Sequence, residues 1–270
     1  MNRKIVLIKV LFAFALCCSC TRQTTGKDNE ADFGFCLTDD EKAVFIESYL
    51  GQQASVIIPH TIQDMPVTGI GHEAFCGVGR ETRLTSVSIP DSVIAIERDA
   101  FSHNHLENVS IGSSVAFIGR DAFSYNRLSA LSIPDSVIAI DSMAFMENRI
   151  ASVSIPGNVA FIGAGAFLGN QLADIAISNG ITHIGSMAFS MNRLSALAIP
   201  GSVTRIEPLA FEGNPLVQIS IGADVELGEY DMAGNYAASF DHDFDGFYLA
   251  HGRKAGTYAY NNGAWSAEFR

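Results

Sequence analysis

Three groups of residues have the types and spacing to do chemistry. His103 and His105 form an H-x-H pair, which could supply two ligands of a metal site. No third ligand accompanies them, so the expectation is a solvated loop. Asp241, Asp243 and Asp245, followed by Gly246, mimic the front half of a calcium loop, but the twelfth position is Gly252 where a bidentate Glu is required. A helix accounts for the same stretch, with Ser239 as its N-cap, acids in its first turns, Phe240, Phe244, Phe247 and Tyr248 on one face, and Gly252 at its end. Gly69, Gly71 and Ala74 spell GxGxxA, nominally a dinucleotide fingerprint; here Ile70, Ala74 and Phe75 belong to a frame that recurs down the chain, and no cofactor is implied. The chain holds no GxSxG, HExxH or Walker loop, and its histidines are scattered where an active site needs a convergent cluster. The expected class is a non-enzyme, with neither metal nor cofactor.

The cysteines point to a different chemistry. Met1 to Cys20 (MNRKIVLIKVLFAFALCCSC) has a basic start, an apolar run and small residues before a cysteine, the pattern of a secretory signal. The run is short and interrupted by Lys9, which makes it a poor transmembrane helix. Ser19 precedes Cys20 and Leu16 lies four residues upstream, so the end resembles a lipoprotein processing box with Cys20 as the lipid attachment site. Cys17 stands where a strict box has an aliphatic residue, and Cys18 is the alternative site. Residues 21–32 then read as a polar tether. Cys36 and Cys76 are compatible with a disulfide or with two small buried thiols.

What positions most of these residues is a repeat. From Leu84 to Pro215 the chain runs through six copies with a period of 22 residues, the first reading LTSVSIPDSVIAIERDAFSHNH. Leu84, Leu106, Leu128, Ile150, Leu172 and Leu194 open the copies; Phe101, Phe123, Phe145, Phe167, Phe189 and Phe211 follow Ala near each end; Asn104, Asn126, Asn148, Asn170, Asn192 and Asn214 complete the frame. Such self-similarity predicts a solenoid, in which stacked neighbours make one core that no copy could build alone. Each copy should open with a short strand halted by a proline such as Pro90. Stacked strands would be parallel, with Val87, Val109, Leu131, Val153, Ile175 and Leu197 forming an inward ladder at about 4.8 Å per rung. Val93 and Ile96 would turn the chain back, and Ala100-Phe101 would sit on a helical or 3₁₀ turn whose ring plugs the core. A polar Asn at a fixed place in an apolar frame should hydrogen-bond the turn backbone of the adjacent copy. The pairs Ile94/Ala95 and Ala116/Phe117 alternate in bulk, so that large stacks on small.

The fold class is therefore a repeat solenoid, mainly β with short helical or 3₁₀ turns. Residues 33–83 break the period and read as an N-terminal hairpin, turned at Asp39 to Lys42, plus a first irregular repeat. Residues 84–237 hold the repeats, and residues 238–270 close the stack with the helix and a second hairpin, GTYAY and AWSAEF around Asn261-Asn262-Gly263.

The pattern LxxVxIPxSVxxIxxxAFxxN, over about Val56 to Val225, resembles the BspA-like (treponemal-type) class of leucine-rich repeat, found in bacterial surface proteins and lipoproteins. Pro66 to Gly71 (PVTGIG) and the GRKAGTYAYNNGAWS ending are similar to the caps of that class. Asn stands here where many members carry Cys. The resemblance implies a curved leucine-rich-repeat stack and a non-catalytic, lipid-anchored, extracytoplasmic protein that recognises proteins, attaching to host or matrix proteins or to other bacteria. The alternative is a structural or periplasmic lipoprotein without a host ligand.

Composition agrees with a folded surface module. At 48% hydrophobic and 17% charged, the chain is too apolar for a disordered one, and a net charge of −12 argues against nucleic acid as a partner. The outward strand positions are small and nearly uncharged, Ser88, Ser110, Ser132 and Ser154 among them, which predicts a smooth platform without aromatic anchors. Beside it Arg127, Arg149 and Arg193 fall in one column, broken by Gln171. That column reads either as a recognition stripe or as edge charges paired with acids of adjacent turns.

Overall fold

The computed structural model describes residues 30–230 and 236–269, and over them the chain is a β-solenoid. Its most continuous feature is a ladder that the sequence conceals. Two-residue strands recur at Ala95–Ile96, Phe117–Ile118, Ala139–Ile140, Phe161–Ile162, His183–Ile184 and Arg205–Ile206, each pairing in parallel with the next. With Met65–Ile70 before them and Glu226–Leu227 after them they belong to one eleven-stranded sheet. The stretch expected only to turn the chain back is thus the uninterrupted spine. Its Ile residues are buried at every rung, while the partner position alternates Ala and Phe before ending in His183 and Arg205.

The strand face, expected as one ladder, is broken into three. Ser55–Ile57, Ser86–Ser88 and Asn108–Ser110 pair; Ser152–Ile155 pairs with Asp174–Ile177; Ala196–Ala198 pairs with Gln218–Ile221. Leu128 to Pro134 forms no strand. The break falls where the inward column is loosest. Val109 and Leu131 are half-buried, whereas Val87, Val153 and Leu197 are buried, so fewer apolar contacts hold those rungs together.

Inside the solenoid the phenylalanines stack. Phe101, Phe123, Phe145, Phe167, Phe189 and Phe211 are fully buried, with neighbouring ring centroids 5.1 to 5.4 Å apart and planes within 14°. Phe75 and Tyr49 extend the column at one end, and Phe240 stacks on Phe211 at 5.0 Å at the other. The Ala-Phe segment is a run of hydrogen-bonded turns between residues held at positive φ, such as Asp99 and His103 in one copy and Asp121 and Tyr125 in the next. Gly165 and Gly169 occupy those two places in a later copy, where φ values of 63° and 68° suit a residue without Cβ. Between these points the backbones bond across copies: the Phe101 amide donates to the Ala122 carbonyl at 2.8 Å, the contact repeats through Phe189, and Phe211 donates instead to the Ser239 carbonyl at 3.0 Å.

Each cap extends a different sheet. The antiparallel hairpin Phe33–Leu37 and Val44–Tyr49 joins the long ladder by pairing with Met65–Ile70. Gly69 and Gly71 serve that junction, because Phe45 lies where a Cβ on Gly69 would stand and the Ile46 carbonyl crowds Gly71. At the other end the hairpin Gly256–Asn261 and Ala264–Phe269 pairs antiparallel with Gln218–Ile221 and so closes the strand face. Its turn uses Asn262 and Gly263, both at positive φ. The helix between them spans Phe244–Ala250 and begins later than the sequence suggested. His242 and Asp243 have φ of 57° and 54°, which ends any helical path from Ser239. Ser239 is instead buried, its hydroxyl donating to the Ile206 carbonyl at 2.9 Å, and its amide and that of Phe240 donate to the buried Asp245 carboxylate.

Candidate recognition surface

The arginine column is realised, and it is longer than the sequence pattern suggested. The amides of Arg127, Arg149 and Arg193 each donate to the first residue of the preceding copy (Leu106, Leu128 and Leu172) at 2.9 Å, and Gln171 does so to Ile150 at 3.1 Å. His105 makes the same bond to Leu84 at 2.9 Å, and Arg83 occupies the equivalent place one copy earlier. The column therefore runs Arg83, His105, Arg127, Arg149, Gln171, Arg193. His105 and Arg83 went unnoticed because the strict Arg pattern begins at Arg127; counting back by the period is the signal that finds them.

Among the described residues, no ion pair joins a side chain of this column to an acid. Among the described residues, ion pairs join Arg98 to Asp99 at 2.9 Å, Arg120 to Asp121 at 3.3 Å and Arg205 to Glu226 at 3.6 Å. None involves Arg127, Arg149 or Arg193, so the pairing with acids of adjacent turns is not what the structure adopts. Arg149 and Arg193 are exposed and Arg127 half-buried. Slight desolvation, then the guanidiniums of Arg127 and Arg83, hold the His105 pKa below its usual value, as expected where positive charge has no counterpart. The Arg83 side chain donates to the His103 carbonyl, which fixes the first rung.

The strand-face residues are brought together in part. Ser88 and Ser110 are direct neighbours, Ser154 lies in a separate sheet beside Ala176, and Ser132 lies in the unpaired segment. Ser110, Ser132 and Ser154 are exposed and Ser88 half-buried, so the face is shallow and interrupted.

The other candidates are spread out. His103 stacks on Tyr125 at 4.6 Å between centroids, and the group of three potential ligands found among the described residues includes neither His103 nor His105. Asp241 accepts from the Gly213 amide at 2.8 Å, Asp243 precedes the helix and Asp245 is turned inward, so the three carboxylates serve separate ends. Among the described residues one group, His72, Glu73 and Asp99, brings potential metal-ligand atoms within 4.8 Å of one another; it lies at the surface and Arg98 already holds Asp99. Cys36 and Cys76 are both thiols, not joined in a disulfide, and Cys76 accepts from the Ser102 hydroxyl at 3.3 Å. Cys20 lies outside the described residues.

A scan of family models matches the BspA type leucine rich repeat region in six copies, over residues 52–170 and 116–235. The chain belongs to the BspA-type leucine-rich repeat family. Among solved structures it is similar to a leucine rich cell surface protein from Faecalibacterium prausnitzii, with 31% identity and a TM-score of 0.67 over 83% of this chain. The BspA-type chain spans 62% of the length of that protein. It is also similar to the leucine rich repeat protein of T. pallidum (24% identity, TM-score 0.50, 70% of this chain and 78% of that one). The pneumococcal vaccine antigen PcpA matches at 18% identity and a TM-score of 0.51, over 82% of this chain and 55% of that one. These last two likenesses concern the fold alone. No curated protein matches the chain. Among the described residues of this BspA-type repeat protein, no helix is long and apolar enough to cross a membrane.

Proposed function

We propose that this BspA-type chain is a non-catalytic, lipid-anchored surface protein whose repeats form a platform for recognising proteins, serving attachment to host or matrix proteins or to other cells. The observation that carries the reading is the basic column itself: arginines on four of its six rungs, without an ion-paired acid among the described residues on a protein of net charge −12, beside a shallow face of small residues. Charges kept unpaired on a rigid scaffold are suited to steering and registering a partner, at little cost to stability. A cell-surface setting is supported by the name of the Faecalibacterium relative, and lipidation by the apolar run ending in Ser19-Cys20.

Protease treatment of intact cells tests the placement. The protein should be digested while a periplasmic control survives. Survival of the chain until the outer envelope is opened would favour a periplasmic, structural lipoprotein and overturn the surface reading.

A further inference from the structure

The basic column is regular in a way that selects among ligands. We propose that Arg83, His105, Arg127, Arg149, Gln171 and Arg193 form a track for a linear acidic polysaccharide, laid along the stack with about one sugar ring per repeat.

The first support is electrostatic. The solenoid neutralises other exposed arginines locally, as at Arg98–Asp99 and Arg120–Asp121, yet keeps this column free of ion pairs among the described residues. One acid of the flanking column, Glu147, lies over Gly169, where its carboxylate occupies the place a Cβ would take, and among the described residues it forms an ion pair with neither Arg127 nor Arg149. Surface charges act over about 8 Å at physiological salt, so the column presents its arginines locally despite the acidic net charge, with Glu81, Glu107 and Glu147 each two residues from one of its members.

The second support is metric. Rungs of a parallel ladder advance by about 4.8 Å, and the ring centroids of Phe123 and Phe145 record a similar step of 5.4 Å inside this stack. A linked pyranose advances by about the same step, so anionic rings stay in phase with successive rungs. An extended acidic peptide advances by roughly 3.3–3.4 Å per residue, so its units do not fall one to a rung as linked rings do.

The third support is the company the column keeps. The column two residues earlier, separated from it by the buried Asn ladder, carries His103 stacked on Tyr125, itself 44% exposed, and Met191, which is 61% exposed. Flat aromatic and soft apolar groups beside cationic donors suit the C–H faces of sugars, and Gln171 places amide hydrogen-bonding groups at the one uncharged late rung.

The track rests on the reading of the chain as a recognition protein, and names acidic glycan borne by a matrix or cell surface as the part of that partner which the column holds. The test uses the full chain and hexagalacturonate, which carries one carboxylate per ring, with hexaglutamate at equal charge as comparator. Calorimetry at low salt should show binding of hexagalacturonate and at least tenfold weaker binding of hexaglutamate. Changing Arg127, Arg149 and Arg193 together to Ser should abolish hexagalacturonate binding with an unchanged circular dichroism spectrum. Gln171→Arg should strengthen it severalfold, a gain that misfolding cannot produce. Equal binding of the two probes, no binding of hexagalacturonate, or binding that survives the triple change would each overturn the track. If attachment to matrix proteins nevertheless persists in the native chain, protein recognition stands without the glycan; if that attachment is also absent, both fail.

Discussion

The Asn126 amide donates to the carbonyl of Phe101, 25 residues earlier, at 2.9 Å, while its Oδ1 accepts the Leu106 amide at 3.0 Å. One side chain thus ties the turn of one copy to the turn and strand start of the next. Asn148, Asn170, Asn192 and Asn214 repeat both bonds, and among the described residues no buried side-chain nitrogen or oxygen is left without a partner.

Replacing Asn148 by Ala leaves the amide of Leu128, which opens the same copy, and the Phe123 carbonyl without these bonds in a buried place. The expected loss is about 2–3 kcal/mol by urea denaturation. A loss below about 0.5 kcal/mol would mean that water or backbone shifts replace the side chain.

Phe145 is flanked by Phe123 and Phe167, both at 5.4 Å. Phe145→Ala should cost about 3–5 kcal/mol, through lost burial and the cavity left in the stack. A cost below about 1 kcal/mol would show that the ring is not a core plug.

Tyr258 is buried in the C-terminal cap and donates to the Lys254 carbonyl at 2.6 Å; burial, then Tyr248, pushes its pKa up to about 12. The folded state disfavours the phenolate, so its contribution to stability is full below the unfolded value near 10 and is lost as pH rises towards 12. Burial raises Tyr49 and Tyr248 as well, so alkaline titration followed by tyrosinate absorbance should show several late transitions, the last of them coupled to loss of cap structure and absent in Tyr258→Phe. An ordinary titration near 10 without unfolding would refute the assignment.

The expected lipid site is tested by metabolic labelling with palmitate, which should disappear in Cys20→Ala. Label that persists there and vanishes in Cys18→Ala would move the site.

The period, the Phe and Asn columns and the C-terminal hairpin were legible because each rests on a residue type with one physical use: a ring that fills a core, an amide that satisfies backbone, an Asn-Gly turn. The long ladder was not legible. Two residues such as Ala95–Ile96 are too short to show an alternation, and only the bonds between copies reveal them as strands. Ser239 looked like a helix cap because cap preference is local, whereas the positive φ of His242 and Asp243 and the contacts of Asp241 and Asp245 with distant backbone amides belong to the folded cap. The basic column was seen in part, since Arg83 and His105 share its position but not its residue pattern.

The most direct test of the platform is attachment by the variant with Arg127, Arg149 and Arg193 all changed to Ser. Its circular dichroism spectrum and melting point should match the native protein, as exposed charges contribute roughly 0–1 kcal/mol each. Binding to matrix-coated surfaces or whole cells should fall, chiefly through a slower association rate with a weaker salt dependence. Unaltered attachment by the folded triple variant would contradict the account and shift recognition to the caps.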